Sequence, residues 1–383
     1  MAEVKTSTNL IDDEDMAKIV HMLKDEDISG WFGNNTGGPY LQEFQRKFAQ
    51  YCTAKYAFGV SSGSASIYVA LKACGVGHGD VVAVPAYTHV GSVAPIVLAG
   101  ATPLFVDVDD FGNIDPQDLN EAIYVVTRVR GVKAVVVVHQ LGVPCEIDAI
   151  REVAQKHHLW VIEDASHALG AEYKGKRCGV LGDIGCFSIG GGRTKTIGTG
   201  EGGMVVTNND ELAEKVQNIR NHGDRVTDAP YFCFNFRMCD LNALVGLAQI
   251  SSLDFLNDWQ IENATYLTEQ LPDCLNARMP PSHVKSTWYI VGCDFTKGKV
   301  ARDSFLQEVY ARGFRGGMPR KNVSPGYSKL VSDIAVYKPY QRSLPNSEKI
   351  RDQSVWIDYH RYPRTKEEID ALMNCFAEVL GVL

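Results

Sequence analysis

The apolar positions of this chain fall into two alternating rhythms. From about residue 40 to about residue 250, short runs that are apolar on both faces alternate with stretches of helical period. LQEFQRKFAQYCTA sets Leu41, Phe44, Phe48 and Tyr51 three or four residues apart, which predicts an amphipathic helix. VVAVPAYTHV, ATPLFVDVD, KAVVVVHQL and LWVIEDAS are β-rich runs that stop at polar, Gly or Pro residues. YAFGVSSGSASIYVALKACG reads as a strand, a small-residue turn and a helix. Strands that are apolar on both sides and separated by helices predict a mostly parallel sheet wrapped by helices, an α/β architecture. In such a sheet ligands lie beyond the carboxyl ends of the strands. The residues that follow each apolar run are therefore the ones to inspect for chemistry.

Past about residue 256 the texture changes. NDWQIENATYLTEQL and the final helical stretch TKEEIDALMNCFAEVL flank shorter mixed segments. The expected organisation is a large domain over residues 1–255 and a smaller α/β domain over 256–383, which suits a chain of 383 residues. Lys and Arg number 38 against 46 Asp and Glu, a net charge of −8. That balance argues against a nucleic-acid binder, which needs a basic face. The first residues carry acids where a secretion signal carries a basic stretch and an apolar core, and no run approaches the ~18 apolar residues of a spanning helix. A cytoplasmic protein is expected. Ten cysteines are scattered without a CxxC pair or a nearby His cluster, so reduced core thiols are expected rather than a disulfide framework or a metal site.

Four features carry chemistry. Lys195 lies between glycine-rich stretches in FSIGGGRTKTIGTGEGG. A lysine held on a constrained, partly desolvated loop can form an imine with an aldehyde, although an exposed lysine on a loop is the commoner case. The spacing of GGGRTKT does not match a phosphate loop of the NTPase kind. Asp164 ends the run WVIED. It either pairs with a cation such as a pyridinium nitrogen or caps a following helix. His167 is either a core histidine or a donor to a ligand oxygen. Ser62, Gly63 and Ser64 precede a helix whose free N–H groups suit an anion, and Ser188 is a second hydroxyl for the same anion. His89, at another strand end, either stacks on a planar ligand or serves its own loop. A lysine, a strand-end acid, a phosphate cradle and a stacking ring in this order together describe a pyridoxal phosphate site.

The chain also resembles the DegT-type sugar and cyclitol aminotransferases, within fold type I of the pyridoxal phosphate enzymes. The resemblance runs from roughly residue 30 to the C-terminus, through GPYLQEFQRKFAQY, SSGSASIYVALKACGVGHGDVVAVPAYTHV, PLFVDVDDFGNIDP, VVVVHQLG, VIEDASHALGAEYKG, GDIGCFS, TGEGGMVVTNNDEL and FNFRMCDLNALVGLAQISSLD. It implies a large domain with a seven-stranded, mostly parallel sheet. It also implies that Lys195 bonds the cofactor and moves the proton, and that Asp164 faces the pyridine nitrogen. His167 would stand near the phenolic oxygen, His89 at the stacking position, and Gly63, Ser64 and Ser188 at the phosphate. Asn235, in FNFRM, matches a residue that reaches the neighbouring subunit's site, which implies a homodimer with shared sites. The activity implied is amino transfer from glutamate or glutamine to a keto sugar or keto cyclitol.

Two departures mark this chain. FSI is followed by GGGRT before Lys195, two residues more than the family pattern, which lengthens the loop around Arg193. Some relatives carry His in place of this lysine and act as dehydratases, so dehydratase chemistry is one rival reading. A cofactor-binding regulatory protein without catalysis is another. The C-terminal stretch from GGMPRKN to TKEEID looks nearer to the cyclitol and aminohydroxybenzoate branch than to the nucleotide-sugar branch. Arg237, Arg320, Tyr327 and His360 are further polar residues with no assigned role.

Overall fold

A computed structural model describes residues 11–25, 28–29, 36–126, 131–190, 195–222, 233–313, 342–357 and 365–382. Arg193, Arg320, Tyr327 and His360 lie outside them. The predicted first helix is present as Pro39–Cys52, and it buries Leu41, Phe44 and Phe48 as its spacing requires.

The central sheet has seven strands. In chain order they are β1 (Tyr56–Val60), β2 (Val81–Pro85), β3 (Thr102–Val106), β4 (Val132–Val138), β5 (Trp160–Asp164), β6 (Ile184–Ser188) and β7 (Gly203–Thr207). Their spatial order is β1-β7-β6-β5-β4-β2-β3. Strands β3, β2, β4, β5 and β6 pair in parallel, while β7 pairs antiparallel with both β6 and β1 and is the reversed strand. The sheet is therefore mostly parallel, as the two-sided apolar runs imply. Two packed cores flank it. One holds Leu41, Phe44, Phe48, Val135, Val137 and Val161, and the other holds Ile67, Val82, Val84, Val136, Ile162 and Cys186. Successive strand residues point to opposite faces, so neighbours such as Val161 and Ile162 enter different cores.

A third core lies around a small sheet made of Leu275–Ala277, Val291–Phe295 and Ser354–Ile357. The helix Leu253–Glu269 joins it to the main body. Leu253 and Leu256 at its start belong to the first core, and Ala264 and Leu267 at its end belong to the third. The far unit is also tied by Asp107, just beyond β3. Its carboxylate accepts hydrogen bonds from Asn346 N at 2.9 Å, Ser347 N at 2.8 Å and Ser347 Oγ at 2.7 Å, at the start of the helix Pro345–Gln353. Arg342 adds a two-armed bond to Asp118, at 2.6 and 2.8 Å. Asp107→Ala is expected to lower unfolding stability by about 1–2 kcal/mol, the usual cost of a lost cap. Urea unfolding followed by Trp fluorescence checks this, and an unchanged midpoint would refute the capping role.

Candidate active site

The site forms where β1, β2, β5 and β6 end on one edge of the sheet. After β1, Ser62 adopts extended backbone, and its Oγ accepts from Ala65 N at 3.1 Å, capping the helix Gly63–Ala73. The cap leaves the first-turn N–H groups of Gly63 and Ser64 without intrahelical acceptors. A Cβ on Gly63 would sit 2.6 Å from Ser188 Cβ, so glycine is what lets the end of β6 close against this helix. Ser64 is exposed, and a Cβ on Gly91 would lie 2.9 Å from its Oγ. The starts of two helices, at Gly63 and at Val90, therefore meet around Ser64, with Ser188 beside them. The N-terminus at Gly63, with the hydroxyls of Ser64 and Ser188 beside it, suits an anion.

His89 is exposed at this rim, and its Nδ1 accepts from Gly91 N at 3.0 Å, capping the helix Val90–Leu98. This contact gives the ring a local role and does not exclude stacking on a planar ligand.

Asp164 is 4% exposed at the end of β5. Ser92 Oγ donates to its Oδ2 at 2.7 Å, and Ser166 N donates to Oδ1 at 3.1 Å. Thr88 Oγ1 lies 3.0 Å from Ser92 Oγ and extends the chain of hydroxyls. The helix-cap reading of Asp164 fails, because turns follow β5 and no helix begins there. Its described partners are a neutral hydroxyl and a backbone N–H, so the buried charge still calls for a cation. Cys186 is the register partner of Asp164 on β6. Burial, aided by the charge of Asp164, pushes its thiol well above the ordinary range, which leaves it without thiolate chemistry.

Lys195 Nζ donates to Ser166 O at 2.7 Å, which brings the lysine to the turn immediately after Asp164. The loop that carries it is pinned from outside. Gln249 accepts from Gly198 N at 3.1 Å and donates to Gly198 O at 2.8 Å, while Asn242 donates to Thr199 O at 2.8 Å. His167 stacks on Tyr289 with ring centroids 4.1 Å apart and planes at 14°. Asn235 lies on the segment that docks on the end of β1, where Ser61 N donates to Phe236 O at 2.8 Å. It is exposed, its Oδ1 accepts from Arg237 N at 2.9 Å, and it bridges backbone-to-backbone with Asn221. Arg237 itself bonds Asn221 Oδ1.

Lys195, Asp164 and His167 thus converge around one turn, and Gly63, Ser64, Ser188 and His89 converge at the adjoining cradle. Sequence reasoning missed Ser92, the carbonyl of Ser166 and Tyr289. Ser92 could have been found as a polar residue four positions after Thr88 in the first turn of a helix. Tyr289 has no local signal at all. Pyridoxal phosphate fits what is present: an anion cradle for its phosphate, a buried carboxylate for its ring nitrogen, and an amine beside them.

A model of the DegT/DnrJ/EryC1/StrS aminotransferase family matches residues 11–377. The chain belongs to that family. It is accordingly a pyridoxal phosphate-dependent aminotransferase of fold type I. GDP-perosamine synthase of Caulobacter vibrioides is 42% identical over 307 residues, covering 77% of this chain and 81% of that one. Among solved structures, S. venezuelae DesV is 27% identical with a TM-score of 0.80, over 95% of this chain and 94% of that one. The 3-amino-5-hydroxybenzoic acid synthase is 25% identical with a TM-score of 0.82, over 97% of each chain. Among the described residues of this family member, no helix is long and apolar enough to cross a membrane.

Proposed function

We propose that this aminotransferase converts a keto sugar carried on a nucleoside diphosphate into the corresponding amino sugar, with glutamate or glutamine as the amino donor. The observation that supports the acceptor class is the 42% identity, over 77% of this chain, to a GDP-perosamine synthase. That identity supports the nucleotide-sugar branch rather than the cyclitol branch to which the C-terminal stretch leans. The C-terminal stretch itself falls largely outside the described residues.

When bound, pyridoxal phosphate supplies an aldehyde carbon and an electron-accepting ring. The residues of the chain have distinct tasks around it. Gly63, Ser64 and Ser188 hold the phosphate, the first two through N–H groups at a helix start. Asp164 would hold the ring nitrogen and favour its protonated form, with Ser92 Oγ fixing the carboxylate's direction. His89 would border the ring, and His167 would stand near the phenolic oxygen. Lys195 Nζ would bond the cofactor and, when not so bonded, would carry the proton at the reacting carbon. Asn235, exposed next to Phe234, which is 74% exposed, reaches the cradle of a second copy, so that the enzyme works as a homodimer with shared sites. The working division is a cofactor-binding unit over 1–255 and a smaller unit over 256–383. All ten cysteines are unbridged, which supports a reducing, cytoplasmic setting.

The test is isotope transfer. Purified enzyme is incubated with ¹⁵N-glutamate or amide-labelled glutamine and with nucleotide-linked keto sugars or a free keto cyclitol. Label is expected in an amino sugar still joined to its nucleotide. Label in the cyclitol alone would overturn the acceptor, and label in neither would overturn the reaction.

A further inference from the structure

Lys195 rests against a part of the chain that no sequence motif connects to it. The segment Ser286–Ile290 crosses from beyond the helix Leu253–Glu269 to the turn after β5, and it is fastened at several points. Thr287 N donates to Gly142 O at 3.1 Å, Ser286 Oγ donates to the same oxygen at 3.0 Å, and Thr287 Oγ1 donates to His167 O at 2.9 Å. Gln260 Nε2 holds Thr287 O from the helix side at 2.5 Å. The approach depends on glycine: Gly142 has φ +85°, and a Cβ there would lie 2.9 Å from Tyr289 N and 3.1 Å from His167 O. So fastened, the strap delivers the ring of Tyr289 to the site. One contact is the parallel stack on His167, and the other is Lys195 Nζ, 4.6 Å from the ring centroid.

We propose that Tyr289 is a positioning residue for Lys195, its ring face holding and covering the ε-ammonium whenever that group is not bonded to the cofactor. An ammonium over an aromatic face is attracted by the ring's quadrupole, and the carbonyl of Ser166 takes one of its N–H bonds. Both effects favour the charged, unreactive form and keep it in one place beside Asp164. Among the described residues, the titratable side chains nearest to these contacts are Asp164 at the end of β5, His167 on the turn after it and Tyr289 on the strap. The stack on His167 means that one ring orients two side chains at once. The proposal rests on the reading of Lys195 as the residue that bonds the cofactor.

The experiment measures how fast Lys195 is acylated by acetic anhydride in cofactor-free protein, with the modified peptide quantified by mass spectrometry. Tyr289→Leu both uncovers the amine and removes the ring face, so acylation of Lys195 is expected to rise roughly tenfold. Exposed Lys55 in the same sample should react at an unchanged rate. Tyr289→Phe keeps the face and should stay within about twofold of wild type. Tyr289→Met, which keeps apolar bulk without a π face, should behave as Tyr289→Leu and serves if the leucine variant fails to fold. Wild-type acylation in the leucine or methionine variant would overturn the proposal, as would a phenylalanine variant as reactive as those two. Covalent capture of pyridoxal phosphate is measured in parallel by borohydride fixation in Lys195→Ala. Loss of capture there supports the underlying reading. Retained capture would overturn that reading whatever the acylation rates show.

Discussion

Lys195→Ala is expected to cut aminotransfer by a factor of about 10³ or more, because one side chain serves both as the group that bonds the cofactor and as the proton carrier. The amine sits on Ser166 O, beside the turn that carries Asp164, and its loop is pinned by Gln249 and Asn242 rather than left to wander. The variant should still bind pyridoxal phosphate through Gly63, Ser64 and Ser188, since none of them depends on the lysine. Its bound cofactor should lack the visible absorbance of the wild type, and an added small amine should restore part of the activity by replacing the missing nitrogen. Steady-state assay with ¹⁵N transfer, paired with an absorbance spectrum, reads both effects. A variant that retains more than about a tenth of wild-type rate would show that the two extra residues in the loop shift the lysine's role to another group.

Glu163→Ala is expected to lower stability strongly, by about 3–5 kcal/mol. Glu163 is fully buried on β5, and its two oxygens take backbone N–H bonds from Gly179 at 2.7 Å, Leu181 at 2.7 Å and Gly182 at 2.6 Å. His139 Nε2 lies 3.0 Å from Oε2. Because His139 Nδ1 accepts from Cys145 N at 3.0 Å, its proton is on Nε2 and points at the carboxylate. Alanine would leave three amides and an imidazole N–H buried without acceptors. Cys178 lies close enough to complete a three-residue ligand set with this pair, but the donors already committed to both Glu163 oxygens and the acceptor role of Nδ1 describe a structural network. Urea unfolding of Glu163→Ala against wild type checks the size. A change under about 1 kcal/mol would refute the network's role in stability.

Glu163 and Asp164 together show where the sequence was legible. Both end the run LWVIED, and only Asp164 was singled out there as chemistry. Along a strand, neighbours face opposite sides, so one acid reaches the cradle with the helices at Gly63 and Val90, and its neighbour reaches the loop at Gly179–Gly182. The run itself, like the other apolar runs, was readable because strand burial is recorded locally. Whether Asp164 capped a helix was not, since WVIEDASHALG has the residue types of a strand–helix junction and turns follow instead. Ser62, Gly63 and Ser64 were legible because a cap and a helix start lie within a few residues. Tyr289 was not, because it reaches Lys195 only through the docking of Ser286–Ile290 onto Gly142, which depends on partners far apart in the chain. His89 carried two readings, and its hydrogen bond from Gly91 N shows a local role that is compatible with either.

The helix Leu253–Glu269 has a consequence for anyone recombining this protein with its relatives. A graft joined at residue 255 would cut the rod between Leu253 and Leu256, splitting residues of one core between two parents. A join just before Leu253 keeps the rod whole, yet the transplanted end must still fill the host's first core and place Asn257 Nδ2 on Leu169 O, a 3.0 Å bond. A join after Glu269 asks the opposite of the host, whose own Ala264 and Leu267 counterparts must then seat a foreign third core. The exchangeable part is therefore set by a shared helix, and a viable hybrid has to match its parents along both halves of that one rod.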